Sequence, residues 1–336
     1  MSESTPVSRR GFLSGSLAAA GALGLGVGAG TGGAAQAAAA PSGAEAKPAP
    51  AVAGALPCGT IGKAKISRML LGGNLVSGCM HSRDLLYVNQ LFRAYAKDEK
   101  ILETMKLAEQ HGINTVFETG EAYIKRYNRE CGGHMQFIPH IEVNPGQKEG
   151  DLETHIQRQV DSGAVALYVW GVAGDSLMKA GRIDLIARAV ELAKAHDLPV
   201  GVGSHSLLVP MACEKNKVPC DFYVKTFHRD DYPSATPKEL RKEFGWIDGG
   251  KGWYDNMWCI NPEETAEFMK TVAKPWIAFK VLAAGGIQPR QGFAYAFDNG
   301  ADFIAVGMFD FQIAEDCELA RGAISRAQNR PRPWRA

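Results

Sequence analysis

Two lysines stand in short apolar runs, Phe222-Tyr223-Val224-Lys225 and Ala278-Phe279-Lys280-Val281, where a charged side chain needs a reason. A buried ammonium requires a carboxylate, a bound anion or a depressed pKa. The last case leaves a neutral amine able to attack a carbonyl carbon, so Lys225 and Lys280 are candidate catalytic residues. Glu118, His140 and His228 are the side chains best suited to move protons beside them. Glu142, His205, His228 and Asp230 supply nitrogen and oxygen donors of the kind that hold a divalent metal, although no H-x-x-x-H or D-x-H spacing singles out a set. Asn74, Tyr168 and His205 are candidate substrate contacts. Gly285, Gly286 and Gly307 fall where backbone N–H groups could approach an anion.

These residues lie far apart in sequence, so the fold must gather them. Short β-branched or apolar runs at about 66–72, 115–118, 136–143, 165–170, 199–203, 221–226, 276–282 and 302–307 alternate with helical patterns near 98–111, 152–162, 181–196, 207–216, 262–273, 289–299 and 311–326, and a weaker one near 121–130. Eight strands alternating with helices predict an α/β fold, a single (β/α)8 TIM barrel over residues 56–330 with a long loop after strand six. Asn261, Pro262 and Glu264 form a helix start signal.

Helices cover the outside of such a barrel, so its outward strand residues should be apolar and polar ones should reveal the inner face. On this rule Phe137, Pro139 and Ile141 face out, with His140 and Glu142 inside. Tyr223 and Lys225 are expected inside against Phe222 and Val224, Lys280 inside against Phe279 and Val281, and Glu118 and Tyr168 inside on their own strands. Loops past the strand ends add Asn74, Cys79, His81, His205, His228 and Asp230 at the C-terminal mouth, where barrel enzymes keep their chemistry. The long connection from about 228 to 261 carries Tyr232, Trp246, Trp253, Tyr254 and Trp258, and is expected either to cover a substrate or face a partner, or to pin itself down with an aromatic cluster.

The first residues read differently. Ser8-Arg9-Arg10-Gly11-Phe12-Leu13 precedes a weakly apolar run from Leu17 to Gly30, and Ala35-Gln36-Ala37 offers a cleavage site. This resembles a twin-arginine export signal over 1–37, followed by a low-complexity linker over 38–55; residues 331–336 read as a basic C-terminal tail. The resemblance implies a periplasmic or secreted protein that engages the twin-arginine translocation machinery, with no stable membrane span after signal cleavage. A formal net charge of +1 with no long charge run outside the termini argues against a nucleic-acid partner. Seven cysteines cannot all pair internally, and no C-x-x-C is present.

Two family resemblances refine the chemistry. Phe222-Tyr223-Val224-Lys225-Thr226, with Ala278-Phe279-Lys280 and Ala284-Gly285-Gly286-Ile287, resembles the deoxyribose-phosphate type of class I aldolase. That resemblance implies Lys225 as the Schiff-base nucleophile and Lys280 as the neighbouring cation that lowers its pKa. The glycine turn and Gly300-Ala301-Asp302 to Gly307 are also similar to phosphate-binding barrels. In the N-terminal half, Gly59-Thr60-Ile61-Gly62, Gly112-Ile113-Asn114 through Glu118 to Tyr123, and Leu167-Tyr168-Val169-Trp170 are similar to aldo/keto reductases. There Glu118 and Tyr123 would take the places of the family's Asp and catalytic Tyr, while its lysine and histidine are missing. The combined expectation is an exported lyase or isomerase acting on the carbonyl of a small sugar-like or oxo-acid substrate, through a Schiff base or a divalent metal, with no nicotinamide cofactor. A reductase-like oxidoreductase and a non-catalytic sugar- or protein-binding barrel are the alternatives.

Overall fold

A computed structural model describes residues 55–82, 85–245 and 257–336. The expected signal and most of the linker, together with Trp246, Trp253 and Tyr254, lie outside the described residues. An antiparallel hairpin comes first, β1 (Cys58–Ile61) and β2 (Ala64–Ser67). Eight parallel strands follow: β3 (Met69–Gly72), β4 (Thr115–Glu118), β5 (Gln136–Ile141), β6 (Leu167–Val169), β7 (Val200–Ser204), β8 (Phe222–Thr226), β9 (Trp276–Phe279) and β10 (Phe303–Val306). Each pairs with the next, and β10 pairs with β3, so the sheet closes into a (β/α)8 TIM barrel with no free edge. The expected first strand, 66–72, divides at Arg68 into the end of the hairpin and the start of the barrel.

The longer helices are α1 (Leu86–Tyr95), α2 (Asp98–Gln110), α3 (Glu121–Glu130), α4 (Glu149–Asp161), α5 (Gly171–Lys179), α6 (Ile183–Lys194), α7 (Leu208–Lys215), α8 (Pro262–Thr271), α9 (Pro289–Asp298) and α10 (Asp310–Arg326). The sequence pattern gives eight of them and misses α1 and α5. Pro262 opens α8 as expected, but Asn261 donates to the Glu264 carboxylate instead of capping the backbone with its side chain.

Two packed layers settle which side chains face inward. Leu70, Phe117, Ile138, Tyr168, Phe222, Val224, Ile277 and Phe303 fill the barrel, with Ile61 and Ile66 of the hairpin below them. Met69, Val116, Phe137, Ile141, Leu167, Val202, Tyr223 and Trp276 pack outward against the helices. The expected parity holds for β5 and β6. It is inverted on β8: Phe222 and Val224 are inside, and Tyr223 faces out, because its hydroxyl finds the Glu214 carboxylate of α7 at 2.7 Å. On β7 the inward positions are Gly201 and Gly203, where a Cβ would collide with the Phe222 ring and crowd the Tyr168 ring.

The N-terminal end of the barrel is closed by the last residues of the chain. Asp302 is fully buried and binds Arg330 at 3.1 Å and Arg332 at 2.7 Å. It also accepts the backbone N–H of Trp276 and Arg335. Trp334 lies between the guanidinium groups of Arg68 and Arg330, 3.9 and 3.4 Å from its ring centre. Residues 331–336, expected as a basic tail, are thus anchored in the barrel floor: the buried Asp302 draws the arginines in. The seven cysteines are all free thiols.

Candidate active site

A cleft of about 290 Å³ opens at the C-terminal mouth between the ends of β3, β4, β9 and β10. Glu118, Lys280, His81, Asn74 and Cys79 are its main polar side chains, and Trp258, Phe279, Leu75, Val281 and Phe309 supply much of its wall.

Lys280 and Glu118 reach this cleft by leaving regular strand geometry. Alternation puts Phe117 and Ile277 inside, so Glu118 and Lys280, one and three residues on, are not placed there by parity in the way Phe279 is. Both adopt left-handed backbone, φ 82 for Glu118 and φ 57 for Lys280, and Ala283 and Ala284 on the same loop do so too. Each such residue costs of the order of 1 kcal/mol, and such strain concentrates at functional sites. The kink turns Lys280 into the cleft, where its Nζ lies 2.8 Å from His81 Nε2 and 4.4 Å from the centre of the Trp258 ring. Burial lowers its pKa to about 8, an effect that the Glu118 charge opposes in part. His81, tilted against Trp258, is lowered to about 3 by burial and then by the Lys280 and His205 charges. It is a neutral acceptor for the lysine.

The Glu118 carboxylate is oriented by the Trp170 indole N–H at 2.9 Å. His140 stacks on Trp170 and donates from Nδ1 to the Glu118 carbonyl at 3.1 Å, so it braces the kinked residue from behind and does not line the cleft. Behind Phe279, and outside the cleft lining where it was expected as a substrate contact, His205 forms a buried pair with Asp175 of α5, Nδ1 to Oδ2 at 2.8 Å, and the His205 and Ser206 backbone N–H groups bind the same carboxylate. Burial raises Asp175 to about 7, against those donors. Burial, then Lys280 and Lys225, hold His205 well below its ordinary value. The sequence reading missed Asp175, which has no motif around it; the buried carboxylate announces itself only when α5 is seen to face the end of β7.

Several expected site residues are placed elsewhere. Lys225 is fully buried on the outer side of β8 with Tyr223, where its Nζ donates to the Thr226 carbonyl at 2.8 Å and approaches Cys259. It does not line the cleft, so the expected inward Lys225 nucleophile is corrected to a structural lysine. His228 is also spent on structure. Its Nδ1 donates to the Arg229 carbonyl, and its Nε2 accepts the N–H groups of Trp258 and Cys259. Burial lowers it to about 4. Asp230 clamps the loop through Arg241 at 2.6 Å, and Glu142 is more than half exposed. Among the described residues, no three His, Cys, Asp or Glu side chains come together to hold a metal ion, so the expected donor set of Glu142, His205, His228 and Asp230 is not gathered.

Tyr168 stacks on Phe117 beneath the site at 4.9 Å and is 2% exposed, a floor residue. Asn74, Gly285 and Gly307 line the cleft and Gly286 does not. The N–H groups of Gly285 and Gly286 bond back to Leu282 and Ala283, so they are not available as an anion nest. Tyr123, in the catalytic place of the reductase resemblance, donates instead to Asp98 on the helix layer. In the long loop, Tyr232 packs with Met257, Ala283 and Ile287 as an anchor, and Trp258 lines the cleft.

No family model and no curated protein matches the chain in sequence. Solved structures that resemble it include a mandelate oxidase mutant with an FMN adduct, at 14% identity and TM-score 0.44 over 83% of this chain and 80% of that one. A truncated 3-deoxy-D-arabino-heptulosonate 7-phosphate synthase from Thermotoga maritima follows at 11%, 0.43, 82% and 91%. A Coccidioides immitis protein provisionally named a deoxyribose-phosphate aldolase gives 10%, 0.40, 81% and 91%. These likenesses concern barrel architecture alone.

Proposed function

We propose that this barrel is a lyase or isomerase in which Lys280 forms an imine with a substrate carbonyl. The observation that carries the reading is an amine of lowered pKa, held by a strained backbone in an aromatic cleft at the catalytic end of the barrel. The neutral amine adds to the carbonyl carbon, the C–N bond forms, and the carbonyl oxygen departs as water after taking up two protons. The resulting iminium accepts the electron pair released when an adjacent C–H or C–C bond breaks. Reprotonation of that carbon and hydrolysis return the product and the amine. His81 touches the amine and suits proton transfer during dehydration; Glu118, which lines the cleft and is fixed by Trp170, suits proton removal next to the carbonyl. Relative to the aldolase resemblance, the nucleophile moves from Lys225 to Lys280.

Export by the twin-arginine route to the periplasm or medium belongs to the same proposal and rests on Arg9-Arg10 and Ala35-Gln36-Ala37. Among the described residues no helix is long and apolar enough to cross a membrane. Reductive trapping with cyanoborohydride and a panel of aldehydes and ketones, followed by peptide mass mapping, tests the chemistry. The adduct is expected on Lys280, with a rate that rises as pH passes about 8. An adduct on Lys225, or trapping at an unchanged rate in Lys280→Met, would overturn the assignment. Replacing Arg9 and Arg10 by lysine should leave the protein in the cytoplasm; unaltered export would refute the signal.

A further inference from the structure

The substrate's body, as distinct from its carbonyl, is written in the rest of the cleft. We infer that the substrate of this site carries an apolar, aromatic or extended hydrocarbon portion and no phosphate, an inference that rests on the Lys280 reading and replaces the sugar-like class.

Three independent observations support it. First, the backbone donors of the glycine turn and of the α10 N-cap, which a phosphate would use, are taken. The Gly285 and Gly286 amides close a tight turn, and at the start of α10 the Phe309 N–H is taken by the Gln312 side chain at 3.0 Å. Second, no arginine lines the cleft among the described residues, and Lys280, its one cationic side chain, is the proposed nucleophile. Third, the wall continues outward as an aromatic ledge. Phe309, at the rim, is stacked on Phe311 with ring centres 5.3 Å apart and planes 7° from parallel. Phe311 is 69% exposed, an unusual expenditure of a large apolar ring.

The ledge is built to keep its shape. Tyr95 of α1 meets both rings edge-on and donates its hydroxyl to Asp310 at 2.5 Å, while Lys100 of α2 binds the same carboxylate at 3.1 Å. A flat apolar group leaving Lys280 along the cleft would pass Phe309 and lie over Phe311, burying both rings further.

The test compares biphenyl-4-carbaldehyde, propanal and glyceraldehyde 3-phosphate in cyanoborohydride trapping, read by intact mass, and measures biphenyl-4-methanol binding by calorimetry. The biphenyl aldehyde should reach half-saturation at a concentration at least about tenfold below the sugar phosphate. Phe311→Ala, whose ring is 69% exposed, should raise that concentration about three- to tenfold, a larger factor than for propanal. Equal or better trapping of the sugar phosphate, or no effect of Phe311→Ala, overturns the inference. Calorimetry separates the two readings. If the alcohol binds and Phe311→Ala weakens it while no aldehyde is trapped, the apolar class stands and the imine falls; if an adduct forms on Lys280 but the alcohol does not bind, the reverse holds.

Discussion

The two ends of the barrel treat buried charge in opposite ways. At the N-terminal floor, Asp302 meets two arginines and two backbone N–H groups, and Trp334 covers the guanidinium faces. At the C-terminal mouth, the Lys280 amine meets a neutral imidazole and the face of an indole. A charge with every partner in place holds a structure together; one left with soft partners sits at higher free energy and is ready to react. The contrast teaches how to separate a latch from a reagent in a fold where both are lined by polar residues.

The comparison can be broken most forcefully at the floor. Asp302→Ala leaves two buried guanidinium groups and two N–H donors without their acceptor, and should lower unfolding stability by about 3–5 kcal/mol in a urea titration. A loss below about 1 kcal/mol would mean that the floor is not a latch. His228→Ala should cost about 2–3 kcal/mol, since the Trp258 and Cys259 N–H groups lose their shared acceptor. The neutral His228 also gives a pH signature. Its folded pKa, about 4, lies below the unfolded value, so the unfolded chain binds more protons between them and wild-type stability falls as pH drops from about 6.5 to about 4. The variant should lose that share of the slope; an unchanged slope contradicts the assignment.

At the mouth the sign reverses. Lys280→Met should abolish trapping and yet raise stability at pH 7 by about 1–2 kcal/mol, because it removes a poorly solvated ammonium. The folded pKa of about 8 lies below that of the unfolded lysine, so the unfolded chain binds more protons between them and the wild type gains stability as pH rises. The advantage of the variant should therefore shrink from pH 8 toward about 10.5 in parallel denaturation curves. A destabilised variant would show that Lys280 is well paired. At the smallest end, Lys63 and Asp197 form a pair whose side chains are both 89% exposed, and Lys63→Ala should leave the urea midpoint unmoved.

The barrel was legible in the chain because eight apolar runs separated by helical patterns have few other closed solutions, and every expected strand has a counterpart. The site was legible only in part. His140 on β5 obeys the rule that polar residues mark the inner face, but Tyr223 breaks it, since a covering helix supplies Glu214 as a partner on the outside. Lys225 fails for the same reason: a neighbouring carbonyl satisfies it where the rule allows only hydrocarbon. Glu118 and Lys280 enter the cleft through left-handed φ values, which alternation cannot anticipate because it assumes regular strand geometry up to the last residue. Asp175 was invisible because its importance lies in facing His205 across thirty residues of chain.

The glycines at the inward positions of β7 carry a consequence for the lumen as a whole. With no side chains from Gly201 and Gly203, the Tyr168 and Phe222 rings come close against that strand and use the room it leaves. A methyl group at Gly201 would have to displace the Phe222 ring, which fills the barrel. The plug beneath the reacting groups is therefore keyed to one bare strand, and its shape is inherited from the absence of two side chains.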